Sequence, residues 1–272
     1  MEELAIVYMV AGLSSRFEGK IKPLEKVGPN EETLIECSLN QAIAAGFNKI
    51  IFIVGKSTEK PFKEKFENSY KGIPIEYTLQ KYDSEKRDKP WGTLDALCQA
   101  KDIIRSSFVV CNGDDLYGKE SFKILANHLK EKKTNATLGY NILKVIPKEG
   151  YVNRGIFETK ENKVTNIKET LKISRENLYS RGLNENSLAS MNIFALQPEI
   201  LEEFNKILVN FKEKNKGNRE IECYLPVELG NLIKKQELVL EVCNTPEKWI
   251  GITNPGDELK VIKMLQNSKN YL

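Results

Sequence analysis

Apolar residues in this 272-residue chain alternate between two patterns. Residues 4–10, LAIVYMV, and 49–54, KIIFIV, are nearly unbroken apolar runs. Such runs predict strands buried on both faces. Residues 33–45 read as an amphipathic helix with Gly46 as its stop. Further helices are predicted over 58–70, 93–104 and 119–132, and further strands over 73–79, 108–111 and 136–143. Strand–helix alternation with short connections implies right-handed βαβ units around a mostly parallel sheet.

The pattern changes after residue 145. Residues 154–159 and 163–169 form a predicted hairpin around Glu161-Asn162. A strand over 188–196, helices over 198–214 and 221–234, a strand over 238–243 and a closing helix over 256–266 complete the chain. No Pro/Gly/Ser-rich linker and no repeat interrupts it, so 1–272 reads as a single domain with halves of about 1–145 and 146–272. The predicted fold class is α/β, a Rossmann-like three-layer α/β/α arrangement with a mixed, mostly parallel central sheet. In such sheets ligands bind beyond the carboxyl ends of the strands. The loops after the first, third and fourth strands are therefore where chemistry is expected.

Composition narrows the possibilities. Apolar residues make up 40% of the chain and charged residues 29%, the balance of an ordinary globular protein. Forty-one Lys+Arg against 38 Asp+Glu leave a net charge of +3. That gives no reason to expect nucleic-acid binding but suits a local pocket for a small anion. No apolar run approaches the roughly 18 residues of a membrane helix. The stretch 4–15 follows Glu2 and Glu3 rather than a basic segment, unlike a secretory signal. Five cysteines without close pairs argue against a disulfide framework and for a cytoplasmic protein. Cys37, Cys98 and Cys111 fall in apolar patterns and read as core residues, as does Trp249. The single histidine, His128, reads as a surface residue, and the lysine-rich stretch 206–216 as a solvated helix face. With one histidine and no CxxC pair, chemistry must come from carboxylates, amines, backbone amides or a bound metal ion.

Three loops carry candidate chemistry. The first runs Ala11-Gly12-Leu13-Ser14-Ser15-Arg16 and on through Lys20, Lys22 and Pro23. Its small residues let backbone N–H groups approach a phosphate, while Arg16 and Lys22 add positive charge. The alternative is a surface turn with two solvated cations. The second loop places Gln80 ahead of Pro90-Trp91-Gly92-Thr93. Gln80 offers an amide to a base edge, and Gly92 leaves room for a base on the backbone. Thr93 reads equally as a helix cap. The third loop is Asn112-Gly113-Asp114-Asp115, either a Mg²⁺ ligand at a strand end or a simple turn.

Taken in order, AGxxSRF…KPL, Gln…PWGTxxAL and GDD resemble the nucleotidyltransferase family that activates sugar 1-phosphates. The likeness extends through Arg154 to Glu158, Val164 to Glu169, Ser190 to Phe194 and Trp249 to Asn254. The resemblance implies a nucleotide-diphospho-sugar transferase fold with a nucleotide-binding first half and an acceptor-binding second half. It implies transfer of a nucleotidyl group from an NTP to a sugar 1-phosphate, with Mg²⁺ as cofactor and pyrophosphate as the second product. Arg16 would hold the pyrophosphate, Lys22 would bridge the two reacting phosphates, and Asp114 would hold Mg²⁺. Ala11, Gly12, Leu13, Ser14, Ser15, Gln80, Gly92 and Thr93 would bind the nucleotide, and Gly155, Glu169 and Asn192 the acceptor.

The chain departs from the family in three places. Glu169-Thr170-Leu171 stands where many relatives have Glu-Lys-Pro, leaving Lys168 or Lys172 as substitutes for the missing lysine. Gly251 stands where many have the aspartate of Trp-x-Asp, leaving Thr253, Asn254 or Asp257 as second metal ligand. Asp257 is the favoured carboxylate, although it also suits the start of the final helix. Lys20 rivals Lys22 because the first loop is one residue longer than in some relatives. Other readings are a cytidylyltransferase for phosphocholine or another small phosphate alcohol, a glycosyltransferase of similar fold, and a non-catalytic nucleotide-binding regulatory module.

Overall fold

The computed structural model describes residues 2–12, 21–251 and 257–266. The first half is built from β1 (Ala5–Val10), α1 (Leu34–Ala44), β2 (Lys49–Val54), α2 (Glu59–Phe66), β3 (Ser69–Tyr70), β4 (Ile73–Leu79) and α3 (Thr93–Gln99), followed by β5 (Phe108–Asn112), β6 (Asp115–Leu116), α4 (Lys119–Glu131) and β7 (Ala136–Asn141). The second half adds α5 (Ile142–Val145), β8 (Val152–Lys160), β9 (Lys163–Ile173), β10 (Leu188–Ser190), β11 (Ile193–Leu196), α6 (Ile200–Lys214), α7 (Leu225–Lys234), β12 (Glu241–Asn244), β13 (Ile250–Gly251) and α8 (Asp257–Gln266).

Eleven strands form one mixed sheet in the order β10-β8-β9-β12-β7-β11-β5-β1-β2-β4-β3. The core of the sheet, β5-β1-β2-β4, is parallel, as is the β7–β12 pair. β11 enters antiparallel between β5 and β7, and β8 and β9 form an antiparallel ribbon. Side chains alternate across the pleat. Ile6, Tyr8 and Val10 join Ile50, Phe52 and Val54 in a core shared with Ile35 and Leu39 of α1, Phe62 of α2 and Phe122 of α4. Ala5, Val7, Ile51 and Ile53 face the opposite core, shared with Leu94 of α3, Phe204 of α6 and Leu229 of α7. The unbroken apolar runs thus serve two helical layers at once. At the start of α1, Glu36 Oε2 accepts from the Thr33 backbone N at 2.8 Å, a capping interaction that fixes where the helix begins.

Several boundaries differ from the sequence expectations. The helix predicted over 58–70 stops at Phe66, because Glu67 turns into the left-handed region (φ +50°) and leads into β3. α3 stops at Gln99, and the turn after it carries Ile104 into the core beside Ala5. The strand predicted over 136–143 ends at Asn141, whose side chain accepts from Leu143 N at 3.0 Å and starts α5. The single strand predicted over 188–196 is two. β10 pairs with β8, β11 pairs with β5, and the chain changes partner through Asn192 at φ +55°. α7 begins at Leu225 rather than 221, with Pro226 in its first turn.

All five cysteines are free, and Cys37, Cys98 and Cys111 are buried as expected. No helix among the described residues is long and apolar enough to cross a membrane. His128 is not a surface residue. It is buried on α4, with Nε2 2.9 Å from Thr134 Oγ1 and Nδ1 facing Cys243. An alternating-charge helix hid it, because the face packed toward β12 is set by tertiary contacts.

Burial holds the His128 pKa below its ordinary value of 6.5, and the Glu241 carboxylate offsets this only in part. The unfolded chain therefore takes up this proton first as pH falls. The contribution of His128 is complete above about pH 6.5 and is lost as pH falls toward the depressed folded value. Urea unfolding at pH 7.5 and 5.5 will show a larger loss of stability in the unmodified protein than in His128→Gln. Equal losses in the two would contradict a neutral buried imidazole.

Candidate active site

The carboxyl ends of β1, β2, β4 and β5 converge on one rim of the sheet. Two glycines allow the backbones there to touch. A Cβ at Gly55, after β2, would overlap the Ala11 carbonyl, and one at Gly113, after β5, would overlap Val10 Cγ1. Gly113 N donates to Met9 O at 3.1 Å, so the chain crosses closely over the end of β1. That crossing delivers Asp114 to the mouth of the first loop. Lys22 opens a 3₁₀ turn, Lys22–Leu24, whose second residue is Pro23. Its Nζ lies 3.6 Å from Asp114 Oδ2; the lysine side chain is 7% exposed and the carboxylate 36%. The pair therefore joins a buried cation to a carboxylate that still meets solvent. Gly12 is exposed, with nothing among the described residues within 4 Å of where its Cβ would be. Leu13, Ser14, Ser15, Arg16 and Lys20 lie outside the described residues.

Lys22 and Asp114 line a cavity of about 630 Å³. Gly155, Glu169 and Asn192, the expected acceptor residues, line the same cavity. Pairing accounts for this, since Gly155 on β8 lies opposite both Glu169 on β9 and Ser190 on β10. A Cβ at Gly155 would reach within 3.6 Å of Ser190 and 3.9 Å of the Glu169 carboxylate, so the glycine keeps this floor open. Burial raises the Glu169 pKa, opposed by the charge of Arg154.

The cavity also includes residues not predicted from the sequence. Arg154 lines it, donating to the carbonyls of Val145 and Asn153, each at 3.1 Å. Burial works against its charge, while Asp115 and Glu169 favour it. Lys168 does not replace the absent lysine, because it alternates with Ile167 and Glu169, which line the cavity, and so points the other way. Lys172 lies on an exposed irregularity at φ +53° and is likewise not a lining residue. Arg154 and Lys22 are the cations lining the cavity among the described residues. Trp249 is half-buried and packs against the core that contains Ile6 and Tyr8, as expected, but it has a second face. It lines the cavity, with the Arg154 guanidinium 5.1 Å from its ring. The signal for Arg154 was its place directly before Gly155 in the quoted motif; Trp249 gave none beyond its aromatic character.

Gly251 pairs with Asp115 across the short β6–β13 ladder. A Cβ at 251 would overlap the Trp249 ring and lie 2.7 Å from Asp115 Oδ1. In this chain the space at 251 is taken by the neighbouring carboxylate. Asp115 is buried, accepts from Asn112 Nδ2 at 2.9 Å, and lies 3.2 Å from the Tyr117 hydroxyl. Burial, reinforced by the charge of Asp114, raises its pKa well above the ordinary carboxylate range. Asp257 begins α8, and its side chain, like Thr253 and Asn254, lies outside the described residues. No group of three or more His, Cys, Asp and Glu side chains forms a metal cage among the described residues. A Mg²⁺ ion held through one or two carboxylates and substrate phosphates needs no such cage, and the accessible hard oxygens of Asp114 fit it.

Gln80, Gly92 and Thr93 lie together at the end of β4, apart from the cavity lining. Gln80 Nε2 donates to Gly92 O at 3.0 Å and to Asp95 Oδ2 at 3.1 Å. Gly92 sits at φ +98°, and its Cβ would come 2.5 Å from the Cys223 carbonyl, so packing alone demands glycine. Thr93 does not cap α3; its Oγ1 accepts from Leu225 N at 2.9 Å and ties the start of α7 to this loop. Lys212, expected on a solvated face, reaches buried Asp95 at 2.6 Å.

The sequence pattern of the nucleotidyl transferase family matches residues 18–263, and the chain belongs to that family of nucleotidyltransferases. Its fold is shared with several solved proteins. A protein of Bacillus anthracis assigned as a glucose-1-phosphate thymidylyltransferase, solved with sucrose, is 14% identical over 98% of each chain, with a TM-score of 0.72. A UDP-glucose pyrophosphorylase solved with UDP-glucose is 19% identical over 98% of each chain, with a TM-score of 0.62. The UDP-glucose pyrophosphorylase of Acinetobacter baumanii is 15% identical, covering 100% of this chain and 96% of its own, with a TM-score of 0.64. No curated protein matches the chain by sequence.

The crossing at Gly113 is the most demanding local feature of the site. Gly113→Ala would press a methyl group into Val10, a β-branched side chain with little rotamer freedom. Urea unfolding should show a loss of about 1–3 kcal/mol, typical of overpacking. A change below a few tenths of a kcal/mol would mean that β1 and β5 can part there freely.

Proposed function

We propose that this nucleotidyltransferase joins an NTP to a sugar 1-phosphate, giving an NDP-sugar and pyrophosphate, with Mg²⁺ as cofactor. The observation that carries the reading is the Lys22–Asp114 pair in the lining of a cavity that Gly155, Glu169 and Asn192 also line. The pair suits phosphates and a divalent cation. Glu169 and Asn192 offer a carboxylate and an amide to hydroxyl groups in a space of small-molecule size.

A phosphate oxygen of the acceptor forms a bond to the α-phosphorus of the NTP. The bond from that phosphorus to the β-phosphate bridging oxygen breaks, and pyrophosphate leaves with the electron pair. The attacking oxygen is already an anion, so no general base is required. Catalysis reduces to positioning and charge neutralisation. Lys22 holds the two mutually repelling phosphates together, its burial keeping the ammonium in place as a fixed donor. Asp114 holds Mg²⁺, which supplies further positive charge to the phosphates when bound. Arg16, from the first loop, binds the departing pyrophosphate. Glu169 and Asn192 orient the acceptor's hydroxyls so that its phosphate lies in line.

The test is pyrophosphate release with Mg²⁺, each of five NTPs (dTTP included), and a panel of sugar 1-phosphates together with phosphocholine. Release should require both a nucleotide and a sugar 1-phosphate. Asp114→Ala should reduce it on the order of 10²–10³-fold or more, with its melting temperature retained. Release with phosphocholine alone would overturn the choice of acceptor. Undiminished turnover in Asp114→Ala would overturn the placement of the site.

A further inference from the structure

Gln80 is a buried carboxamide at the end of β4, and its hydrogen bonds are unevenly spent. A carboxamide has two N–H donors and one carbonyl acceptor. Both donors are engaged, one by the Gly92 carbonyl at 3.0 Å and the other by Asp95 Oδ2 at 3.1 Å. No hydrogen bond reaches Oε1 from the described residues. Turning the amide over would set Oε1 against a carbonyl and a carboxylate, two acceptors facing a third. The orientation is therefore dictated by its neighbours.

Asp95 is itself held from three directions. It is 0% exposed, on the first turn of α3. Its Oδ2 also accepts from Gln99 Nε2 at 2.9 Å, and its Oδ1 accepts from Lys212 Nζ at 2.6 Å. Lys212 comes from α6 and supplies the counter-charge that a buried carboxylate needs. Gln99 is fixed in turn by exchanging hydrogen bonds with the backbone of Lys81, at 2.8 and 3.1 Å. Residue 81 directly follows Gln80, so the network clamps the side chain and the backbone that carries it.

We infer that Asp95 is a positioning residue that presents Gln80 to the base solely as a hydrogen-bond acceptor, so that the nucleotide taken has an imino N–H on its base. This rests on the transferase reading above, in which Gln80 meets the base. Uracil and thymine at N3 and guanine at N1 carry a donor at the centre of the Watson–Crick edge; cytosine and adenine carry an acceptor there. A fixed acceptor pairs with the first group and leaves two lone pairs opposed with the second. Buried polar groups left unpaired in this way discriminate strongly between ligands.

The experiment is calorimetric titration of the full chain with UTP, dTTP, GTP, CTP and ATP in the presence of Mg²⁺, together with KM and kcat for each. At least one imino nucleotide should bind about tenfold or more tightly than both CTP and ATP. In Asp95→Asn, Lys212 claims the new amide oxygen, and the new NH₂ faces the Gln80 NH₂. The preference should then fall toward unity through KM, with kcat at saturation changed by less than about threefold and the melting temperature retained. If Asp95→Asn does not fold, Lys212→Met is used. Without Lys212 the Asp95 carboxylate loses the partner that anchors its Oδ1 and no longer holds the Gln80 amide in one orientation, lowering the same ratio, and Lys212→Arg restores it. A preference for CTP or ATP, or an unchanged ratio in a folded variant, would overturn the inference. Binding of all five nucleotides without discrimination would overturn it and leave the transferase reading standing. No binding of any nucleotide would overturn both.

Discussion

The constraint on which the rest depends is the burial of β1. It pairs on both edges, with β2 and β5, and its alternate residues enter different cores. Such a strand has no side chain available for chemistry along its length. Its polar consequences are confined to its carboxyl end, where the chain leaves the apolar layers. Gly55 and Gly113 then bring the ends of β2 and β5 into backbone contact with that point. Lys22 and Asp114 meet there because the strands that deliver them cannot be displaced without opening two cores.

Around that point the charges are arranged in alternation. Lys22 faces Asp114, while Arg154 lies in the field of both Asp115 and Glu169. Each cation is largely desolvated, which is costly unless an opposite charge is close. The same desolvation leaves the groups strong enough to matter to a phosphate, because water does not screen them. The residues proposed to read the base follow a parallel rule on a separate support. Asp95 and Lys212 bring α3 and α6 together behind Gln80, and Arg219 closes on Asp88 at the rim of the same loop. In the proposed reaction, phosphate chemistry therefore depends on β1 and β5, and the fit to the base on β4, α3 and α6.

What was legible in the sequence follows from this division. Strands buried on both faces show as unbroken apolar runs, so β1, β2 and β5 could be read directly. Lys22, Asp114, Gly155, Glu169 and Asn192 could be singled out because each stands at a fixed distance from such a run or in a recognisable motif, and the fold carries these five separate segments to one cavity. The residues that escaped are those whose role is set by tertiary neighbours. Lys212 looked like any lysine on a charged helix, and only the packing of α6 on α3 reveals a partner 117 positions away. His128 was misread for the same reason. The break at Asn192 was invisible because both halves of the strand are equally apolar, and the change of pairing partner is a property of the sheet. Arg154 was legible as a letter beside Gly155 but not as a cation, since strand alternation alone would send it to the opposite face.

The pairing of Gly251 with Asp115 shows why motif positions do not transfer one at a time. Glycine at 251 reads in isolation as a lost carboxylate. In the folded chain the place its side chain would occupy is within 2.7 Å of Asp115 Oδ1 and overlaps the Trp249 ring. An aspartate at 251 would set a second carboxylate against a buried one and force the indole out of the cavity wall. The two positions are thus coupled by volume and by charge: with aspartate at 115, glycine is the residue that 251 can accept. A carboxyl group has not left this corner of the site. It enters from β6 instead of β13, one residue after Asp114 and on the strand that faces it.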